Sequence, residues 1–192
     1  MQQARAEGYR SRAAYKLLEI DRKFALLQPG RRVLDLGSAP GGWVQVAAAR
    51  GCRVVGVDLE EVAPIPGASL LQGDIFEAAT VAALRQLAGG PVELVLSDLA
   101  APATGQRTLD RLRAEALAEG VLAELPGLLA PGGSLVLKLL RGAEAGVVAE
   151  ARRRFARTRL IRPEASRSGS SEIYLIGSGY RGEPASQPAS SP

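Results

Sequence analysis

Lys138 sits in GGSLVLKLLRG, residues 132 to 142, which opens on a glycine turn, runs apolar through Leu135, Val136 and Leu137, and places the lysine before Leu139 and Leu140. A turn followed by a short apolar run reads as a strand buried in a parallel sheet. An ammonium group there is costly unless an opposite charge pairs with it. Asp98 ends a second such run, VELVLSD, and adjacent strands lie about 4.8 Å apart, so the two can meet. A buried ion pair seldom improves on apolar residues as a source of stability, which points to chemistry. An amine held by a carboxylate can accept a proton or steady a developing negative charge. Other runs end in residues suited to a ligand. In DLGSAPGGW, residues 35 to 43, Gly37, Gly41 and Gly42 let the backbone turn tightly and approach a ligand with no Cβ in the way, and the helix that follows offers free N–H groups. The spacing is not G-x-G-x-x-G, which counts against a dinucleotide pyrophosphate site. Asp58 closes the next run at the offset where a carboxylate can accept two hydrogen bonds from a ribose diol. Asp74, in LQGD, could accept one from an adenine amino group. With the glycine loop, Asp58 and Asp74 describe a nucleoside-binding crevice.

Composition removes several alternatives. The chain has 192 residues, 46% hydrophobic and 23% charged, enough for one domain with a real core. Cys52 is the only cysteine and there is no histidine, which excludes an intrachain disulfide, imidazole or thiolate-rich metal sites, and Ser-His or Cys-His catalysis. No metal site is expected. No apolar run approaches the roughly 20 residues of a membrane helix, and MQQARAEGYRSR is too polar for a secretory signal. A cytoplasmic protein with no membrane association is expected. The net charge of +4 fits a nucleic-acid partner without requiring one. Arginines crowd residues 5 to 22 and 152 to 167, either for such a partner or as two solvated helical faces. Lysine is rare: of 24 basic residues only Lys16, Lys23 and Lys138 are lysine.

The positioning elements follow from the pattern. Residues 11 to 27 read as an amphipathic helix with Ser11 as a plausible cap, ended by QPG. Strands are expected at 31–37, 52–59, 68–74, 92–99 and 133–140, with helices at roughly 42–50, 77–88, 108–129 and 143–156. Such alternation implies a parallel sheet with helices on both faces. RTRLIR (157–162) and SEIYLIGSG (171–179) add two strands with no helix between them, hence an antiparallel hairpin at one edge. One domain over residues 1–180 is expected, followed by a disordered Pro- and Ser-rich tail at 181–192. Seven strands so arranged resemble the Rossmann-like fold of S-adenosylmethionine-dependent methyltransferases, an α/β class. A dinucleotide-binding Rossmann domain is the alternative on architecture alone.

The segments GYRSRAAYKLLEID, DLGSAPGGW, LQGD, SDLA, LAPGGSLVLK and SEIYLIG resemble the FtsJ-type (RrmJ-type) ribosomal RNA large subunit ribose 2′-O-methyltransferases from about residue 8 to 180. That family carries a K-D-K-E tetrad, and the matching positions are Lys16, Asp98, Lys138 and Glu172. The resemblance implies S-adenosyl-L-methionine as cofactor, held by Gly37, Gly41, Trp43, Asp58, Asp74 and Asp98, although Trp43 could equally be a packing residue at the helix start. It implies transfer of a methyl group to a ribose 2′-hydroxyl, with Lys138 taking the proton or stabilising the alkoxide. Lys16 would position the ribose, Asp98 would orient Lys138, and Glu172 would fix Lys16 or the hydroxyl. The expected substrate is a uridine of large-subunit (23S-type) ribosomal RNA within the subunit or its precursor, with the enzyme acting as a monomer. Transfer RNA is an alternative substrate, and a non-catalytic RNA-binding or ribosome-assembly factor is an alternative function. An enzyme acting on a base nitrogen or on protein would not need both lysines. Two departures stand out: the family's A-P-N after the tetrad aspartate reads Ala100, Ala101, Pro102, and only residues 1–7 precede GYRSR.

Overall fold

The structure, a computed structural model, describes residue 4, residues 6–166 and residues 169–182. Arg5, Arg167 and all but the first two residues of the expected disordered tail lie outside them.

The chain runs α1 (Ala13–Phe24), β1 (Arg32–Leu36), α2 (Gly42–Ala49), β2 (Arg53–Asp58), β3 (Ala68–Gln72), α3 (Ala78–Ala88), β4 (Val92–Ser97), α4 (Arg107–Leu128), β5 (Leu129–Leu140), α5 (Ala145–Arg154), β6 (Phe155–Ile161) and β7 (Glu172–Tyr180). The seven strands form one sheet in the order β3-β2-β1-β4-β5-β7-β6. Only β7 runs against the rest, inserted between β5 and β6. The β6–β7 hairpin is therefore the expected antiparallel edge, with β6 outermost. The order reverses between β1 and β4, and ligands of open α/β sheets bind at such a point, outside the carboxyl ends of the strands.

Burial follows the two faces of the sheet. Along β5, Leu135, Leu137 and Leu139 pack with Val121, Leu122 and Leu125 of α4 and Val147 of α5. Val136 points the other way and joins Leu17 and Ile20 of α1 and Val44 of α2. This period of two leaves Lys138 on the α1 side, beyond Val136.

Helix ends differ from the expected bounds for local reasons. Ala25 adopts a left-handed conformation, φ 50°, and donates its N–H to Asp21 O. The Asp21 carboxylate then accepts the Leu27 N–H at 2.8 Å, so α1 stops before residues 25 to 27. At the other end Ser11 makes no capping bond: Arg12 is the cap residue, and the Ser11 hydroxyl is buried without a partner among the described residues. Pro126 lies inside α4 and has no N–H to offer the Leu122 carbonyl one turn back. Arg154 of α5 donates to that carbonyl instead, tying the two helices together.

Gly177 of β7 shows how tightly the inserted strand packs. A Cβ there would lie 2.9 Å from the ring of Phe155, itself 1% exposed. Gly177→Val should therefore destabilise the protein by about 1–3 kcal/mol, read as a lower urea midpoint at unchanged slope.

Candidate active site

Three pairings bring the ionisable residues to the carboxyl edge. Ser97 of β4 pairs with Leu137 of β5, so the next residues, Asp98 and Lys138, are neighbours across the strand ends. Lys138 faces Tyr174 across the antiparallel β5–β7 ladder, and Leu140 faces Glu172. Glu172 and Tyr174, two apart on one strand, share a face. α1 packs over that face and lowers Lys16, only 8% exposed, onto it.

The result is one string of contacts. Glu172 Oε2 accepts a hydrogen bond from Lys16 Nζ at 2.7 Å. Lys16 also donates to the Tyr174 hydroxyl at 3.2 Å, and that hydroxyl donates to Asp98 Oδ1 at 2.7 Å. Asp98 Oδ1 lies 3.2 Å from Lys138 Nζ, which also donates to the Asp98 main-chain carbonyl. Lys16, Asp98, Lys138 and Glu172 are thus joined through Tyr174. An ammonium carries three donors. Lys16 and Lys138 each commit two among the described residues, leaving one N–H apiece for a ligand.

The cofactor-side residues gather around the ends of β1 and β2. Gly37 has φ +80°, and a Cβ on it would lie 2.8 Å from Leu99 Cδ2 in the loop after β4, so only glycine lets the two loops close. Gly41 caps α2 at φ 109°. Asp58 uses both oxygens locally, accepting from Ala39 N–H at 2.8 Å and Glu60 N–H at 3.0 Å. A carboxylate has further lone pairs for a diol. Asp74 accepts the Phe76 N–H at 3.0 Å in the turn beyond β3. Trp43 is buried and its indole N–H donates to the Ala13 carbonyl at 2.8 Å, while its ring lies 5.8 Å from that of Tyr174. It joins α2 to α1 beneath the tetrad. No group of His, Cys, Asp or Glu suited to a metal ion occurs among the described residues.

Three residues escaped the sequence reading. Tyr174, read as an apolar strand residue of SEIYLIG, carries the hydroxyl that joins the two halves of the tetrad. Burial, with Asp98 beside it, pushes that phenol far above its ordinary value, so it stays a donor. Arg10, counted among surface arginines, donates to the carbonyls of Ala63 at 2.6 Å, Pro64 at 2.7 Å and Pro40 at 3.3 Å, clipping the glycine loop to the β2–β3 connection. Asp35, one residue before the last of β1, is 1% exposed, and neither carboxylate oxygen has a partner among the described residues. Burial raises its carboxyl well above the ordinary aspartate value, and the charges of Asp98 and Asp58 add to the effect. Its position before a glycine loop was the available signal, since a carboxylate inside RVLDL breaks the apolar run.

Burial alone would raise the Glu172 carboxyl, but its bond to Lys16, the charges of Lys16 and Lys138, and Ser170 bring it below the usual glutamate value. A group lowered in the folded state contributes stability that is complete above its unfolded value, about 4.3, and is lost as pH falls through the folded value. Glu172→Gln should therefore flatten the acid-side loss of stability, read from urea midpoints between about pH 6 and 3; curves of equal slope in that window would refute the assignment.

The FtsJ-like methyltransferase family profile matches residues 9–180. Over 180 residues the chain is 49% identical to the ribosomal RNA large subunit methyltransferase E of Acidiphilium cryptum, covering 93% of this chain and 80% of that protein. It is 48% identical to the protein of the same name from Granulibacter bethesdensis, covering 93% and 78%. The crystal structure of a Plasmodium falciparum protein described as a candidate ribosomal RNA methyltransferase superposes with a TM-score of 0.81 at 27% identity, over 91% of this chain and all of that one. A profile spanning nearly the whole sequence, relatives close to half identical and a shared sheet topology together establish that this chain belongs to the FtsJ-like methyltransferase family.

Proposed function

We propose that this protein transfers a methyl group from S-adenosyl-L-methionine to a ribose 2′-hydroxyl of RNA, acting in the cytoplasm as a monomer on a uridine of large-subunit ribosomal RNA. The observation that carries this reading is the string Glu172–Lys16–Tyr174–Asp98–Lys138, which leaves one uncommitted donor on each of two amines at the same sheet edge. The names borne by the curated relatives support the ribosomal substrate.

The residues present fit such a cofactor. S-adenosylmethionine carries a sulfonium and an ammonium, and Asp35 near the end of β1, Asp58 at the end of β2 and Asp98 just after β4 stand on adjacent strands. Asp35 has two buried oxygens without partners, as a site awaiting a cation should. Asp58 would take the cofactor's ribose diol and Asp74 its adenine, while Gly37 and Gly41 admit the methionine portion. When bound, the cofactor supplies an electrophilic methyl group.

Lys138 Nζ is the atom facing the charge that develops on the substrate oxygen. As an amine it takes the hydroxyl proton; as an ammonium it donates to the oxyanion. Asp98 fixes its direction through Oδ1 and the main-chain carbonyl. Lys16, held between Glu172 and Tyr174, offers its remaining N–H to the ribose. Acid–base assistance of this kind contributes about 10²–10⁴ in rate, and alignment of hydroxyl and methyl supplies much of the remainder.

Incubation with labelled S-adenosylmethionine and undermethylated large subunits should yield alkali-resistant dinucleotides. Label without that resistance would indicate a base or protein methyltransferase, and no label a binding factor. Lys138→Ala should abolish transfer while cofactor affinity by calorimetry stays within about twofold of wild type; turnover at the wild-type rate would overturn the assigned roles.

Asp35 gives a second prediction. A carboxyl raised in the free protein ionises more readily beside a bound cation, so cofactor binding should release protons and tighten as pH rises through the free-protein value. Calorimetry in buffers of different ionisation enthalpy should show this release, and Asp35→Asn should remove it. Identical proton counts for wild type and variant would refute the role.

A further inference from the structure

A cavity of about 420 Å³ opens at Lys138 and Glu172 and runs down the other face of the sheet, beneath the loop after β4 and against α4. That volume falls in the usual range for small-molecule sites, about 300–1,000 Å³. Its floor is apolar, formed by Leu137 and Leu139 of β5 with Ala114, Leu117 and Val121 of α4. One polar group lies deep in this wall. Ser97, the last residue of β4, is 1% exposed, lines the cavity, and its hydroxyl has no hydrogen-bond partner among the described residues. An unmatched buried hydroxyl costs free energy that a ligand group can recover.

The cavity adjoins the proposed cofactor crevice at Ser97 and Leu99, on either side of Asp98, and extends from there toward β5 and α4, away from Asp58. Asp58 ends β2, and β1 and β4 intervene before β5 is reached, three strand spacings of about 4.8 Å each. Arg107 and Arg111 stand one helical turn apart at its rim, both exposed and without a hydrogen bond or ion pair among the described residues. The Arg111 guanidinium lies against Gly142, where a Cβ would come within 3.1 Å of Cζ. The acidic groups of the lining are already engaged: Asp110 accepts from the Thr104 N–H and hydroxyl at 2.7 Å each, and Glu172 holds Lys16.

We infer that this cavity receives the nucleobase of the nucleotide being methylated, drawn out of its stack, with Ser97 bonded to the base edge and Arg107 and Arg111 on the flanking phosphates. The inference rests on the proposed ribose chemistry. The base is bonded to C1′, next to the carbon bearing the reacting hydroxyl, so a sugar seated at Lys138 brings its base to the cavity mouth. An apolar slot with one hydroxyl suits a flat heterocycle with polar edges. Two unpaired guanidiniums suit phosphates, which position the strand without reading sequence.

The test uses the full-length protein and, once the modified nucleotide is mapped, an RNA fragment carrying either the intact nucleotide or an abasic ribose there. Ala114→Phe should fill the cavity and lower kcat/KM on the intact fragment at least about 100-fold, with melting temperature and cofactor affinity at wild-type values. Wild type should use the abasic fragment about 100-fold less well than the intact one, and Ala114→Phe should barely distinguish them. Ser97→Ala, which hardly alters shape, should cost about tenfold. Arg111→Ala should weaken RNA binding and reduce the salt slope by about one. Equal use of intact and abasic RNA by wild type, or wild-type efficiency in Ala114→Phe, overturns the inference. Lost cofactor affinity in Ala114→Phe also overturns it, assigning the cavity to the cofactor. A wild-type product without ribose methylation overturns the proposed function itself, and this inference with it.

Discussion

Two amines and two carboxylates share the carboxyl edge of a sheet whose strands are otherwise apolar, and each is held there by its neighbours. Lys138 is tolerated half-buried in β5 because Asp98 stands at the end of the next strand, and Asp98 Oδ1 is shared with the Tyr174 hydroxyl. That hydroxyl also takes a bond from Lys16, whose other partner is Glu172. Breaking a buried pair by removing one partner leaves an uncompensated charge, typically worth about 3–5 kcal/mol. The constraint reaches well beyond the site. It fixes the register of β5 against β7, the height of α1 above the sheet, and the packing of Trp43 between α1 and Tyr174.

The cofactor side obeys a different constraint, close approach of backbone. Gly37 lets the β1 loop touch the loop after β4, and Gly41 starts α2 from a conformation that side chains disfavour. Arg10 then holds the glycine loop and the β2–β3 connection together through three carbonyls. Beneath these loops Asp35, without a partner among the described residues and with its carboxyl raised by burial, stands where the proposed cofactor is cationic. The same sheet edge therefore presents acids on its β2–β1–β4 side and, over β5 and β7, the amines of Lys138 and Lys16 with the Glu172 carboxylate that holds Lys16.

Much of this was legible in the sequence. The alternation of apolar runs and helical patterns predicted all seven strands and the antiparallel edge, because buried parallel strands leave a strong signal. A lysine inside an apolar run identified β5 and required an acid nearby, and Asp98 is there. What stayed hidden depends on side-chain direction. Tyr174 reads as one more apolar residue until its hydroxyl is placed against Asp98. Arg10 and Arg12 look like solvated charge, yet Arg10 grips three carbonyls and Arg12 donates to Ala165 O at 2.9 Å. The helix over 11–27 proved shorter because Asp21 accepts the Leu27 N–H, a local competition that periodicity does not register.

The antiparallel course of β7 has a consequence for how the chemistry comes into being. Because that strand enters the sheet from the ligand side, its opening residues, Glu172 and Tyr174, land beside a lysine placed more than 150 positions earlier, at sequence separations of 156 and 158. During synthesis, which proceeds from the amino terminus, the first six strands can emerge with both amines in place and neither hydroxyl nor glutamate to steady them. A nascent chain interrupted before residue 172 leaves one edge of β5 open, β6 without its partner strand and Lys16 without its counter-ion, so the four-residue arrangement is complete only in a polypeptide that has emerged through β7.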